Sequence, residues 1–380
     1  MKNYLKNGTL TRSICKMSFL RTCWEVLFLI ILAAESILFS GCAPDPLLKN
    51  TLESQPMILI PAINTGVSDG RYRFREIFCA ITELRGLELP DYLPCEQALA
   101  QLEGEGPPTG VAVNLGKSTH SLKIALVHGV GWGCVKNFIA PQGSVVKHLS
   151  QFGYEVTLLD VDPLSSSEHN ATQIRNQILT MSGNDQGKPI VLLGYSKGAP
   201  DILEAVAKYP VLQNKVSAIV SVAGAIGGSP LANDASQSTL NLFRHFPGAE
   251  CELGDQGALE SLKPINRKRW LATNSLPKSI RYYSIITFPE KDNISSILKS
   301  THSKLSQVDP RNDGQLIFYD QMIPGSVLLG YINADHWAVA VPLNRSHAFI
   351  SSTFVDKNAF PREVLLEAIV RYIEEDLKGF

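Results

Sequence analysis

The sequence predicts an α/β fold, a mostly parallel central sheet with helices on both faces. Three observations carry this. Short apolar runs recur down the chain at 124–127, 156–159, 190–193, 218–222, 282–286 and 327–331, and strands that are apolar throughout are those buried on both sides. Helix-compatible segments separate the runs, as crossovers between parallel strands require. The third run leads directly into Gly194-Tyr195-Ser196-Lys197-Gly198 and then into a helical pattern, so that strand, tight turn and helix lie in one short segment.

The chain opens on an address. Lys2, Lys6, Arg12, Lys16 and Arg21 precede the apolar residues 26–34, and a basic lead before a short apolar segment is the pattern of a secretory signal. Glu35 interrupts the run, which falls short of the about 20 residues that a bilayer crossing takes. Leu38-Phe39-Ser40-Gly41-Cys42 follows and resembles the lipobox of bacterial lipoproteins. That resemblance implies cleavage after residue 41 and a lipid on Cys42, placing the protein outside the cytoplasm, anchored to a membrane of the bacterial cell envelope.

Residues 42–115 read as a tether and N-terminal extension. Ala43-Pro44-Asp45-Pro46 cannot continue a helix, 57–60 is a strand candidate, and Arg71 to Leu87 is helix-compatible. Cys79, Cys95, Cys134 and Cys251 remain once the leader is set aside. An even set in an exported protein permits disulfides, and Cys79 with Cys95 is the favoured pair because the loop between them is short; buried thiols are the other reading. Glycines and prolines at 104–110 punctuate the chain before the main domain, 116–380.

Within that domain, 143–152 is amphipathic. The stretch between the strands near 222 and 282 is too long for a plain crossover and is read as a crossover helix plus an inserted cap, about 229–280, with Phe243, Phe246, Leu259, Leu262 and Trp270 available to roof a pocket. Arg267-Lys268-Arg269 reads as a solvated helix face. From Pro361 a closing helix places Leu365, Ala368, Ile369 and Tyr372 on one side. The composition, 44% hydrophobic and 19% charged with a formal net charge of -1, suits a globular domain and gives no basic excess for a nucleic-acid partner.

The chemistry concentrates at Ser196. A turn this tight leaves no room for side chains two before and two after the serine, and both places are glycine. The turn projects the hydroxyl at the carboxyl end of the sheet, and the helix N-terminus that follows favours negative charge there. Asp201 and Glu204 near that helix start, with Pro200 in its first turn, mark it well.

In this context the segment resembles the nucleophile elbow of the α/β-hydrolase family. The likeness spans roughly residues 120–345 and points to the lipase and esterase branch, and Gly227-Gly228-Ser229-Pro230-Leu231-Ala232 is similar to a turn of bacterial triacylglycerol lipases and related lipid-remodelling hydrolases. The resemblance implies an α/β-hydrolase fold, Ser196 as nucleophile and an oxyanion loop at His128-Gly129-Val130-Gly131. The backbone N–H groups of Val130 and Lys197 would be the oxyanion donors, and His128 would brace the loop. The base follows the acid in chain order, which selects His336 in Asp335-His336-Trp337, just past the strand 327–331. His120, His148 and His169 come before the elbow, His245 and His302 before the last strand, and His347 beyond its loop. Asp313 in Asn312-Asp313-Gly314 is the leading acid, with Asp309, Asp292 and Asp320 as alternatives.

The implied reaction is hydrolysis of lipid or other acyl esters through an acyl-enzyme, with no cofactor or metal. A thioesterase, acyltransferase or peptidase would use the same three side chains. A catalytically silent surface lipoprotein that uses the fold for binding is the reading from another class.

Overall fold

In the computed structural model of the protein, the described residues are 66–119, 122–135, 143–183, 188–235, 251, 254–346 and 352–378. The leader, Cys42, the tether and the strand candidate at 57–60 lie outside them. The sheet has eight strands: β1 (Ser68–Asp69), β2 (Leu99–Ala100), β3 (Lys123–Val127), β4 (Glu155–Leu158), β5 (Ile190–Tyr195), β6 (Val216–Val222), β7 (Arg281–Thr287) and β8 (Val327–Ile332). Their order is β1-β8-β7-β6-β5-β3-β4, and β2 also pairs with β8. Every pairing is parallel except that of β2 with β8. The six apolar runs of the sequence fall on β3 to β8.

Alternation along the strands feeds two cores. Leu126, Leu193, Val220 and Ile285 face one side, where they pack with residues of helices α1 (Arg71–Arg85), α2 (Gly143–Gln151) and, at the end of the chain, Arg362–Lys378. Ala125, Leu192 and Ile219 face the other, against α3 (Ser167–Gly183) and α4 (Gly198–Lys208). The inner strands β3, β5 and β6 are thus covered on both faces, which is why their sequences are mostly apolar. The edge strand β4 differs: Leu158 is exposed.

Elements within residues 66–115 belong to this architecture. Phe74, Ile77, Phe78 and Ile81 of α1 are fully buried in the same core as Leu365 and Ile369, and β1 and β2 extend the sheet at β8. Cys79 and Cys95 form a disulfide. A second joins Cys134 to Cys251, across a sequence separation of 117.

Within 229–280, helix α5 (Pro264–Thr273) leads into β7, and Trp270 and Leu271 pack on the core that includes residues of α4. Phe243 and Phe246 lie outside the described residues. The reading of 267–269 as a solvated face fails at Arg267, which is 3% exposed. Its Nε donates to the Ile226 carbonyl at 3.1 Å and its guanidinium stacks over Trp270. Three consecutive cations span most of a helical turn, so one must point inward when the helix lies on a core. The closing helix, α6 (Arg362–Lys378), keeps its apolar side on the sheet. It also buries charge, since Glu367 meets His148 at 2.7 Å and Arg371 at 2.7 Å.

Candidate active site

Ser196 sits between β5 and α4 with φ of 54°, a left-handed conformation that is strained for a residue with a side chain. Main-chain bonds hold it: the Ser196 N–H donates to Val222 O at 3.2 Å, and Ser196 O accepts from Ala199 and Ala225 at 3.2 and 3.1 Å. The flanking glycines are steric necessities. A Cβ on Gly194 would stand 2.5 Å from Ala199 Cα, and one on Gly198 would stand 2.2 Å from Val127 O.

The loop after β8 brings His336 to this turn. Its Nε2 is 2.9 Å from Ser196 Oγ, and its Nδ1 is 2.8 Å from Asp313 Oδ2. A carboxylate only accepts, so Nδ1 carries the proton and Nε2 is left to accept from the serine hydroxyl. Asp335, fully buried, caps the same loop by accepting from the backbone N–H groups of Ser295, Trp337 and Ala338; burial pushes its carboxyl up from the ordinary range, against these donors.

Asp313 is fully buried. Its Oδ2 also accepts from Thr287 Oγ1 at 2.6 Å and Gln321 Nε2 at 3.3 Å, and its Oδ1 accepts from the N–H groups of Gln315 and Leu316 at 2.9 and 2.7 Å. The lone pairs of a carboxylate out of reach of water are satisfied in this way. The three alternative acids stand elsewhere. Asp309 pairs with Arg311 at 2.8 Å, and Asp292 is exposed. Asp320 lies against Gly227, where a Cβ would meet its Oδ1 at 2.3 Å.

The loop after β3 packs directly on the serine. A Cβ on Gly129 would fall 3.1 Å from Ser196 Oγ, which leaves Val130 as the next residue out. Neither the Val130 nor the Lys197 N–H donates to a main-chain carbonyl among the described residues. His128 lies flat on Trp132, ring centroids 4.0 Å apart. The Lys197 side chain turns back into the protein and pairs with Asp201.

Sequence reasoning passed over Tyr195, Thr287 and Gln321. The Tyr195 hydroxyl donates to His336 O at 2.6 Å, and its position inside the elbow motif was a signal for it. Thr287 and Gln321 carry no sequence signal, because only the fold brings the end of β7 and the turn at 318–321 to Asp313.

A serine on a strand-to-helix turn at the carboxyl end of a parallel sheet, reached by a histidine from the loop after β8, defines the α/β-hydrolase class. The structure is similar to that of a metagenomic carboxyl esterase, with 40% sequence identity, a TM-score of 0.78, and coverage of 87% of this chain and 99% of that one. The lipase of Staphylococcus hyicus shares the fold at 14% identity and a TM-score of 0.51, over 71% of this chain and 99% of its own. No family model matches the sequence, and no curated protein matches it significantly. The chain belongs to the carboxylesterases of the α/β-hydrolase fold, and it is a serine ester hydrolase.

Proposed function

We propose that Ser196 is the nucleophile, His336 the general base and Asp313 the acid of an acyl-enzyme mechanism acting on lipid or other carboxylic acyl esters. The observation that carries this is the unbroken chain from Ser196 Oγ through both imidazole nitrogens to Asp313. Ser196 Oγ adds to the ester carbonyl while its proton passes to His336 Nε2. The oxygen of the tetrahedral intermediate takes the charge, and the Val130 and Lys197 N–H groups are its proposed donors. The alkoxy bond then breaks and His336 returns its proton to the leaving alcohol. Water, deprotonated by His336, cleaves the acyl-serine ester and restores the hydroxyl. Asp313 holds the tautomer and stabilises the imidazolium.

The likeness to a carboxyl esterase supports an acyl ester as the substrate. The leader and the lipobox-like Leu38–Cys42 support anchoring to an envelope membrane through lipid on Cys42. Among the described residues no helix is long and apolar enough to cross a membrane. Nitrophenyl esters of graded acyl length test the reaction. Turnover that vanishes in Ser196→Ala supports it, and turnover that survives the substitution contradicts it. For the anchor, Cys42→Ser releases the protein from the membrane fraction; unchanged retention rules out the lipid tether.

A further inference from the structure

The residue after the serine carries a charged side chain that the proposed chemistry does not use. Lys197 is 1% exposed, and so is its partner Asp201, one helical turn further along α4. Lys197 Nζ lies 2.7 and 2.8 Å from the two Asp201 oxygens. Asn170 of α3, also buried, donates to Asp201 Oδ2 at 2.7 Å. The arrangement ties the residue after Ser196 to two helices at once.

Stability gives little reason for such a pair, because desolvating two charges roughly cancels their attraction, and an apolar pair of the same size often serves as well. Burial accordingly lowers the Lys197 pKa, with the Asp201 charge opposing. What distinguishes the pair is its place. Lys197 supplies a proposed oxyanion donor through the peptide that directly follows Ser196, whose own backbone is held in the left-handed region. Tilting that peptide would turn its N–H away from the intermediate, and a preorganised donor acts only while it points at the developing charge.

We infer that the Lys197–Asp201 pair, buttressed by Asn170, is a positioning device that fixes the 196–197 peptide so that the Lys197 N–H faces the oxyanion. The inference rests on the proposed role of Ser196 and deepens it: the motif position after the serine contributes its side chain as well as its amide.

The test removes both charges together, as Lys197→Met with Asp201→Leu, so that neither is left buried alone. In the full-length enzyme we expect kcat to fall about 10- to 100-fold, with KM within threefold and the melting temperature little changed. Affinity for an aryl trifluoromethyl ketone, whose hemiketal with the serine carries an oxyanion, falls in parallel with kcat/KM. A merely structural pair would not move that affinity. Wild-type kcat together with unchanged ketone affinity in the folded double variant overturns the inference and leaves the role of Ser196 standing. Should the double variant not fold, Lys197→Met with Asp201→Asn keeps the shape of the acid and leaves neither charge behind; the same losses support the device, and wild-type kcat overturns it. A wild-type enzyme that forms no hemiketal at Ser196 overturns the role of the serine and this inference with it.

Discussion

The Tyr195 hydroxyl donates to the main-chain carbonyl of His336 at 2.6 Å, while the His336 N–H donates to Asp313 O at 2.9 Å. The backbone of His336 is therefore pinned on one side by the residue before Ser196 and on the other by Asp313. Tyr195→Phe removes one pin and little volume. We predict a kcat reduced about tenfold with KM within twofold, because displacing the imidazole impairs proton transfer more than binding. Steady-state kinetics on a nitrophenyl ester checks this, and an unchanged kcat would mean that packing alone fixes the ring.

Asp313→Asn tests the tautomer argument. An asparagine amide that donates to Nδ1 would drive the proton to Nε2, where the serine hydroxyl then has no acceptor. The expected loss in kcat is about 10⁴-fold, and Asp309→Asn, which touches only a surface pair with Arg311, is expected to stay within twofold. Comparable losses in the two variants would contradict the assignment of the acid.

Asp320 carries a pH signature. Burial, partly offset by the charge of Lys268, pushes its carboxyl up to about 7. A carboxyl raised in the folded state destabilises the fold as pH climbs from its unfolded value, about 4, toward that folded value, because the unfolded chain releases the proton first. Asp320→Asn should leave the melting temperature unchanged near pH 4 and raise it by about 3 °C at pH 8. Thermal melts at both pH values decide; equal shifts at the two would show that the carboxyl does not titrate in this window.

The two disulfides differ in what they close. Removing Cys134–Cys251 by paired serine substitutions should cost about 2–5 kcal/mol, and more than the same change at Cys79–Cys95, since its sequence separation is 117 against 16. It should also lower kcat, because Cys134 lies in the short helix Trp132–Val135 that begins two residues past Val130. Denaturant titration with parallel kinetics reads both effects. A smaller loss from the long loop than from the short one would run against this order.

Much of the fold was legible because the inner strands are buried on both faces, which leaves apolar runs with no alternation to misread. The elbow was legible for a steric reason, the glycines at 194 and 198. His336, Asp313 and the loop at Val130 were reached through family resemblance, and the structure brings all of them to Ser196. What stayed hidden depends on long-range packing. β1 and β2 are two residues each, too short for any periodicity. Arg267 reads as a surface residue from sequence, which does not say which side of α5 meets α4. Glu367 and Arg371 look like a solvated face until α1 and α2 cover them. Thr287 and Gln321 become partners of Asp313 only when β7 and the turn before β8 converge.

In the proposed mechanism one hydroxyl, that of Ser196, is made reactive by its neighbours. Labelling the folded enzyme with a fluorophosphonate and mapping the modified peptide by mass spectrometry tests it most directly. A single adduct on Ser196 is expected, absent in Ser196→Ala and strongly slowed in His336→Ala. An unlabelled wild type, or an adduct on another residue, would contradict it.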